Sequence, residues 1–92
     1  MARFLIEVEH EGNTASCARA IQLFLQTGSH FLSNADWGCK DGDHKAWVII
    51  DVDDREQAIG IVPVEYRPQA KIVQLTSFSM QDAEDLLGQH EP

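Results

Sequence analysis

A cysteine and a histidine on either side of a predicted turn are the residues best placed for chemistry in this sequence. The turn is Asp41-Gly42, a pair typical of two-residue β-hairpins because a type I′ turn needs positive φ at both central positions. A two-residue turn here sets Cys39 opposite His44, with the Cβ atoms about 4.5–5.5 Å apart. A thiolate and an imidazole at this spacing could bind one metal ion between them, with bonds of about 2.0–2.3 Å.

Two ligands are too few for a metal site, so other side chains must contribute. The sequence offers further candidates in His10, His30, Asp41 and Asp43. Taken alone, His10 at the end of a strand is expected to face solvent. The combined ligand set suits zinc, nickel or copper. Two alternatives stay open: these residues have only a structural role at a turn, or His44 lowers the pKa of Cys39 and produces a catalytic thiolate.

A second group of polar and aromatic side chains is expected on the other face of the same sheet. Its members are Glu7, Asn34, Asp36, Trp47 and Gln74. If this face lines a cavity between two copies, Asn34, Trp47 and Gln74 could bind a small molecule. Glu7 and Asp36 would then be candidate catalytic residues, with Glu7 as a general base. The alternative is that the two acids form ion pairs with Arg3, Lys45 or Lys71 across a dimer interface.

The elements that must position these residues are predicted from the spacing of apolar side chains. Alternating or continuous apolar runs predict strands over residues 3–10, 30–39, 44–52 and 70–76. A helical stripe of Cys17, Ile21, Phe24 and Leu25 predicts a first helix, capped by Asn13 or Thr14 and ended by Gly28. A second helix is predicted from Asp53 to Pro63, with Glu56 completing a capping box, and a third over residues 79–88.

The order β-α-β-β-α-β, followed by a C-terminal helix, predicts an α+β ferredoxin-like sandwich. Right-handed crossovers fold this order into a four-stranded antiparallel sheet with two helices on one face. Phe4, Ile6 and Val8 should lie under the helices. The candidates for the uncovered face are Leu5, Trp47, Ile49 and Ile72. An exposed apolar face of this kind favours a partner, and the simplest partner is a second copy related by two-fold symmetry.

One segment resembles a known superfamily. Residues 48–58, with the sequence VIIDVDDREQA, read as a strand, an aspartate, a short turn and a capped helix. This pattern, together with Pro63 after the helix and the strand at residues 71–75, is similar to the dimeric α+β barrel superfamily. That superfamily includes muconolactone isomerases and small quinol-type monooxygenases. The resemblance covers residues 3–78 and implies a homodimer with a ligand site inside the barrel or between sheet and helices.

Length and charge limit the remaining choices. Ninety-two residues with 43 % hydrophobic content predict a single domain over residues 1–92, with a core at 3–78 and a C-terminal helix at 79–88. Fifteen acidic and seven basic residues give a formal charge of −8, which disfavours nucleic acid and anionic membrane surfaces as partners. Glu7 and Glu9 interrupt the first apolar run, so no signal sequence is expected and the cytoplasm is the expected location.

These patterns predict a small dimeric protein that binds a small molecule or a metal ion at the hairpin and the dimer cavity. One alternative is a cofactor-free isomerase or monooxygenase acting on a small organic acid or aromatic compound. Another is a structural or regulatory subunit. GxSxG, P-loop and GxGxxG motifs are absent from the sequence, so hydrolase, NTPase and dinucleotide-binding functions have no support.

Overall fold

Apolar residues at every second position, Phe4, Ile6 and Val8, place the N-terminal strand inside a four-stranded antiparallel sheet. The computed structural model describes residues 1–27 and 29–90. Its strands are β1 (Ala2–Glu9), β2 (Asp36–Trp37), β3 (Lys45–Val52) and β4 (Ala70–Leu75). Its helices are α1 (Thr14–Gln26), α2 (Arg55–Ile61) and α3 (Met80–His90). The strand order is β2-β3-β1-β4, which is consistent with the expected ferredoxin-like fold.

The core lies between one face of this sheet and the helices α1 and α2. Phe4, Ile6 and Val8 of β1 are buried, as predicted, and they pack with Phe24 of α1 and Ala58 of α2. Full burial of a side chain such as Phe or Ile contributes about 1.5–3 kcal/mol, so this layer supplies much of the driving force for folding. The helical stripe differs from the prediction at one position, because Leu25 is 61 % exposed.

The opposite face of the sheet carries apolar side chains that no helix in the described part of the chain covers. Leu5 pairs with Ile49 across β1 and β3, and the Ile49 side chain is 58 % exposed. Trp47 lies on the same face. Ile72 was expected here as well, but it pairs with Ile6 and packs against the buried core. The prediction for Ile72 was therefore wrong by one residue of strand register, which moves a side chain to the other face.

The second strand is much shorter than residues 30–39. A 3₁₀ turn occupies Leu32–Asn34, and only Asp36–Trp37 pairs with β3. Two side chains favour this turn, because Ser33 Oγ and Asn34 Nδ2 both donate to the carbonyl of His30, at 2.7 and 3.3 Å. Such local hydrogen bonds compete with strand pairing. The turn also buries Leu32, which a continuous strand would have placed on the outer face.

The connection between β2 and β3 keeps the predicted register but not the predicted turn. Asp36 pairs with Trp47 and Trp37 pairs with Ala46, as expected. A 3₁₀ turn at Cys39–Asp41 replaces the two-residue turn. A type I′ turn requires a positive φ at both Asp41 and Gly42. Among the described residues only Gly42 has a positive φ, of +82°. Cys39 and His44 thus lie in a loop rather than in paired strands.

Helix ends follow capping chemistry closely. Asn13 caps α1, since its Oδ1 accepts from the Ser16 N–H at 2.8 Å. The cap of α2 is Asp54 rather than Asp53, and its Oδ1 accepts from the Gln57 N–H at 2.9 Å. Pro63 follows α2 as predicted, whereas α3 continues past Gly88 to His90. The proposed role of Gly28 as the end of α1 lies outside the described residues.

Candidate metal centre

Three side chains with metal-ligating atoms meet where β1 ends and β3 begins. His10, Cys39 and His44 each offer one such atom, and these atoms all lie within 4.8 Å of one another. His10 is buried, and Cys39 and His44 are half-buried. The predicted neighbours Cys39 and His44 are therefore brought together. His10 was expected to be exposed, and that expectation was wrong.

Backbone pairing explains why the two histidines are adjacent. His10 directly follows β1 and His44 directly precedes β3, and the His10 N–H donates to the His44 carbonyl at 3.0 Å. This hydrogen bond extends the β1–β3 ladder by one pair. The two rings lie edge to face, with centroids 5.8 Å apart. The 3₁₀ turn then brings Cys39 to them, with its Sγ 3.1 Å from His10 Nε2.

A second thiol, from the helix layer, contacts one member of this group, Cys39. Cys17 lies in the first turns of α1, and its Sγ is 2.6 Å from Cys39 Sγ. The spacing of apolar residues predicted Cys17 as part of the apolar stripe of α1 and not as part of the site. The sequence did contain a signal for the position of Cys17, because the predicted stripe faces the sheet and Cys17 lies at its N-terminal end. Connecting that end to Cys39 requires the packing of α1 on the sheet, which spacing alone does not give.

The environment of His44 leaves one of its nitrogens without a partner. His44 Nδ1 is buried and has no hydrogen-bond partner among the described residues. An unsatisfied buried polar atom costs about 1–3 kcal/mol. The ring is held by close approach of the backbone, since a Cβ at Gly12 would lie only 2.9 Å from His44 Cδ2. The His44 imidazole is thus fixed in position, with its Nδ1 buried and without a hydrogen-bond partner among the described residues.

Burial controls the protonation of the cluster. Desolvation, with a further contribution from the nearby His44, lowers the pKa of His10 below its usual value of 6.5. Its neutral form, which is the form that binds metal, is therefore favoured. Desolvation and the contact with Cys17 raise the pKa of Cys39 to about 11. This direction is opposite to that required for a catalytic thiolate, so the raised pKa does not favour the thiol-catalysis alternative.

The other proposed metal ligands lie elsewhere. The His30 ring stacks on Phe31, with centroids 4.2 Å apart. Asp41 is exposed on the loop, and Asp43 forms an ion pair with Lys45 at 3.8 Å. None of these three residues belongs to the cluster.

A groove gives access to the cluster from solvent. It has a volume of about 540 Å³, and Cys17, Cys39 and His44 lie along its wall with Gly12 and Ile21. An ion or a small molecule could therefore reach the sulfur atoms without unfolding of the domain.

The second predicted group is only partly assembled. Asn34, Asp36 and Trp47 line a shallow groove of about 300 Å³ on the uncovered sheet face. Glu7 is directly beside it, because its Oε1 accepts from the Trp47 indole N–H at 2.9 Å. Gln74 is not part of this group. It pairs with Phe4, and therefore lies on the face that the helices cover.

Comparison with known proteins identified no relative of this chain. No protein-family model matches the sequence, and neither curated proteins nor solved structures give a significant match. Across the residues that the structure describes, no helix has both the length and the apolar character needed to cross a bilayer.

Proposed function

We propose that this protein binds one transition metal ion at the cluster of His10, Cys39 and His44. The observation that carries the proposal is the convergence of three ligand atoms within 4.8 Å from separate parts of the chain. A tetrahedral ion with bonds of about 2.0–2.3 Å holds its donors about 3.3–3.8 Å apart. Movements of about 1 Å would therefore bring the cluster to that geometry.

The energetics favour a metal over a purely structural polar cluster. Without an ion, His44 Nδ1 stays unsatisfied, and the half-buried Cys39 thiol contacts only a second thiol and an imidazole. Neutral hydrogen bonds contribute only about 0.5–1.5 kcal/mol each. Structural zinc sites contribute about 10–16 kcal/mol of apparent binding energy at neutral pH. The formal charge of −8 on the chain also favours the approach of a cation.

Metal titration of the untagged protein tests the proposal. Protein freed of metal with a chelator and kept reduced should bind one equivalent of Zn²⁺ or Co²⁺ in calorimetry, and a competing chromophoric chelator should report the affinity. Loss of a residue that only orients a metal ligand weakens metal sites by about 10–100-fold. We therefore expect Cys39→Ser and His44→Ala each to weaken binding by at least about 100-fold, since each removes a ligand.

His30→Ala is the matched control, because it removes an exposed histidine outside the cluster and should leave the affinity unchanged. Absence of stoichiometric binding would overturn the proposal. Equal affinity in the wild type and both ligand variants would overturn it too.

We also propose that the uncovered sheet face pairs with a second copy of the chain. Leu5, Trp47 and Ile49 supply its apolar surface, and Ile49 is the most exposed of the three. Pairing of two such faces would enclose the groove lined by Asn34 and Asp36 and make it a cavity able to hold a small molecule. The dimer does not depend on the metal site, because the cluster lies at the helix side of the sheet.

A further inference from the structure

We infer that Cys17 is the fourth ligand of the proposed metal site, and that the complete set of two cysteines and two histidines binds zinc. This inference rests on the proposed function and adds the residue that closes the site. The observation behind it is the contact between Cys17 Sγ and Cys39 Sγ at 2.6 Å. Both sulfurs lie on the wall of one groove, together with His44.

The packing of α1 puts Cys17 at the cluster for a reason that is local to its sequence. Asn13 caps the helix, and its carbonyl accepts from the Cys17 N–H at 2.9 Å, so Cys17 is fixed in the first turn. The stripe that continues through Phe24 holds this face of the helix against the core. Cys17 is consequently held by both a cap and a packed face, which is the kind of support that a ligand needs.

Four ligands around one ion require Cys17 to approach the histidines, because its Sγ lies outside the set of atoms that are all within 4.8 Å of one another. Cys39 Sγ already contacts both Cys17 Sγ and His10 Nε2 at 2.6 and 3.1 Å. In a tetrahedral zinc site two sulfurs lie about 3.8 Å apart, so the thiols must separate by about 1 Å to admit the ion. Both side chains border the open groove, which leaves room for that adjustment.

Charge balance also favours four ligands. Binding releases one proton from each thiol, so Zn²⁺ and two thiolates form a neutral unit with two neutral imidazoles. A neutral unit avoids the cost of burying a net charge beside His10, which is a buried residue. With Cys39 as the only thiolate, the site would keep one positive charge.

The ligand types select the metal. A tetrahedral set of two sulfurs and two nitrogens is typical of zinc, whereas square-planar nitrogen and oxygen sets are typical of copper(II) and nickel(II). Four protein ligands also leave no open position for a substrate, as in structural zinc sites. The order His10, Cys17, Cys39, His44 lacks the closely spaced cysteine pair of common zinc motifs, so a motif search does not detect it.

Cobalt(II) substitution measures the number of thiolate ligands directly. The Co²⁺-loaded wild type should show the visible bands of tetrahedral cobalt and a near-ultraviolet thiolate-to-cobalt charge-transfer band with the intensity of two thiolates. Cys17→Ser should halve that band and weaken Zn²⁺ binding by at least about tenfold. The double variant Cys17→Ala with Ala15→Cys retains two thiols but moves one to an exposed position of α1, and should also show a single thiolate.

The outcomes separate this inference from the proposed function. If the wild type binds no metal, the proposed function fails. If it binds metal with a one-thiolate spectrum, or if Cys17→Ser keeps the wild-type spectrum and affinity, Cys17 is not a ligand although the metal site stands. The wild-type spectrum alone decides between one and two thiolates, so the result does not depend on whether the variants fold.

Discussion

Cys39 lies at the centre of the cluster, because its sulfur contacts the imidazole of His10 and the thiol of Cys17. Burial and the contact with Cys17 raise the pKa of this thiol, so its neutral form is favoured. The proposed metal ion would supply a positive charge that favours the thiolate, and it would contact Cys39 and His44 together.

Gly12 provides a test of the cluster at a residue that is not itself a ligand. In Gly12→Ala the new Cβ would lie 2.9 Å from His44 Cδ2 and 3.3 Å from His44 Nε2, so the imidazole must move. Residues that orient metal ligands change affinity by about 10–100-fold. We expect Gly12→Ala to weaken zinc binding within that range, as measured by chelator competition.

Gly60→Ala is the matched control for the same change of residue. A Cβ at Gly60 meets nothing within 4 Å, and the residue lies inside α2. Alanine in a helix is favoured over glycine by about 0.5–1 kcal/mol, so this variant should gain stability and keep its zinc affinity. Unchanged zinc affinity in Gly12→Ala would show that the position of His44 does not matter for binding.

The sequence predicted part of this site, and the limit is physical. The closeness of Cys39 and His44 follows from strand register, which a turn signal and apolar alternation can indicate. His10 lies within the predicted strand 3–10 at the same alternate positions as Phe4, Ile6 and Val8, so strand alternation could have indicated its burial. The position of Cys17 depends on how a helix packs on a sheet. Periodicity gives the face of a helix but not its contacts across the core.

Among the elements, α3 depends most on its own local interactions. The apolar side chains in and before it are largely exposed: Phe78, Met80, Leu86 and Leu87. Its start is stabilised by a reciprocal pair, in which the Ser79 N–H donates to Asp82 Oδ2 and the Asp82 N–H donates to Ser79 Oγ. With little burial to hold it, the stability of this helix should depend on that cap.

The cap predicts how α3 responds to acid. Hydrogen bonds from Ser79 lower the pKa of Asp82 below its ordinary value of 3.8. A carboxyl group with a lower pKa in the folded helix stabilises it above pH 3.8, and that contribution is lost as the pH falls through the folded-state pKa. Helical ¹³Cα shifts of residues 79–83 should therefore decrease in strongly acidic solution, and Asp82→Asn should lack this dependence.

Asp85→Asn is the comparison for Asp82→Asn, since it removes a charge from the same helix but none of the capping hydrogen bonds. It should retain the wild-type acid response of residues 79–83. If Asp82→Asn and the wild type lose helix equally in acid, the cap does not determine the stability of α3.

The long elements were predictable where a single periodicity governs them. β1 and β3 appear close to their expected bounds, because alternation and apolar runs leave no other low-energy choice. β2 was overestimated, since Ser33 and Asn34 turn the chain through hydrogen bonds that alternation does not encode. The cap of α2 lies one residue from the predicted position, because Asp53 and Asp54 are adjacent and either carboxylate can cap a helix.

At the scale of the whole molecule, the uncovered sheet face predicts a dimer that one charge should disrupt. Ile49 is 58 % exposed, so Ile49→Lys should change the stability of the single chain by less than about 0.5 kcal/mol. An unpaired charge buried in an interface costs several kcal/mol, so the dimer should weaken by at least about 100-fold. Light scattering across a dilution series measures both species.

Leu25→Lys makes the same kind of change at a similarly exposed position on α1, and should leave the dimer intact. Each copy carries a formal charge of −8, so added salt should strengthen association by screening repulsion. A wild type that stays monomeric at high concentration and high salt would contradict the dimer.

The two edges of the sheet differ in length, and the difference bears on how copies of this chain avoid polymerising. β2 offers only two residues to an incoming strand, too few to act as a template. The other edge, β4, begins two residues after Pro68 and carries Lys71, a charge of the kind that discourages an added strand. Fibril-like growth from strand to strand is thereby suppressed, and contact between two flat surfaces becomes the favoured mode of self-association.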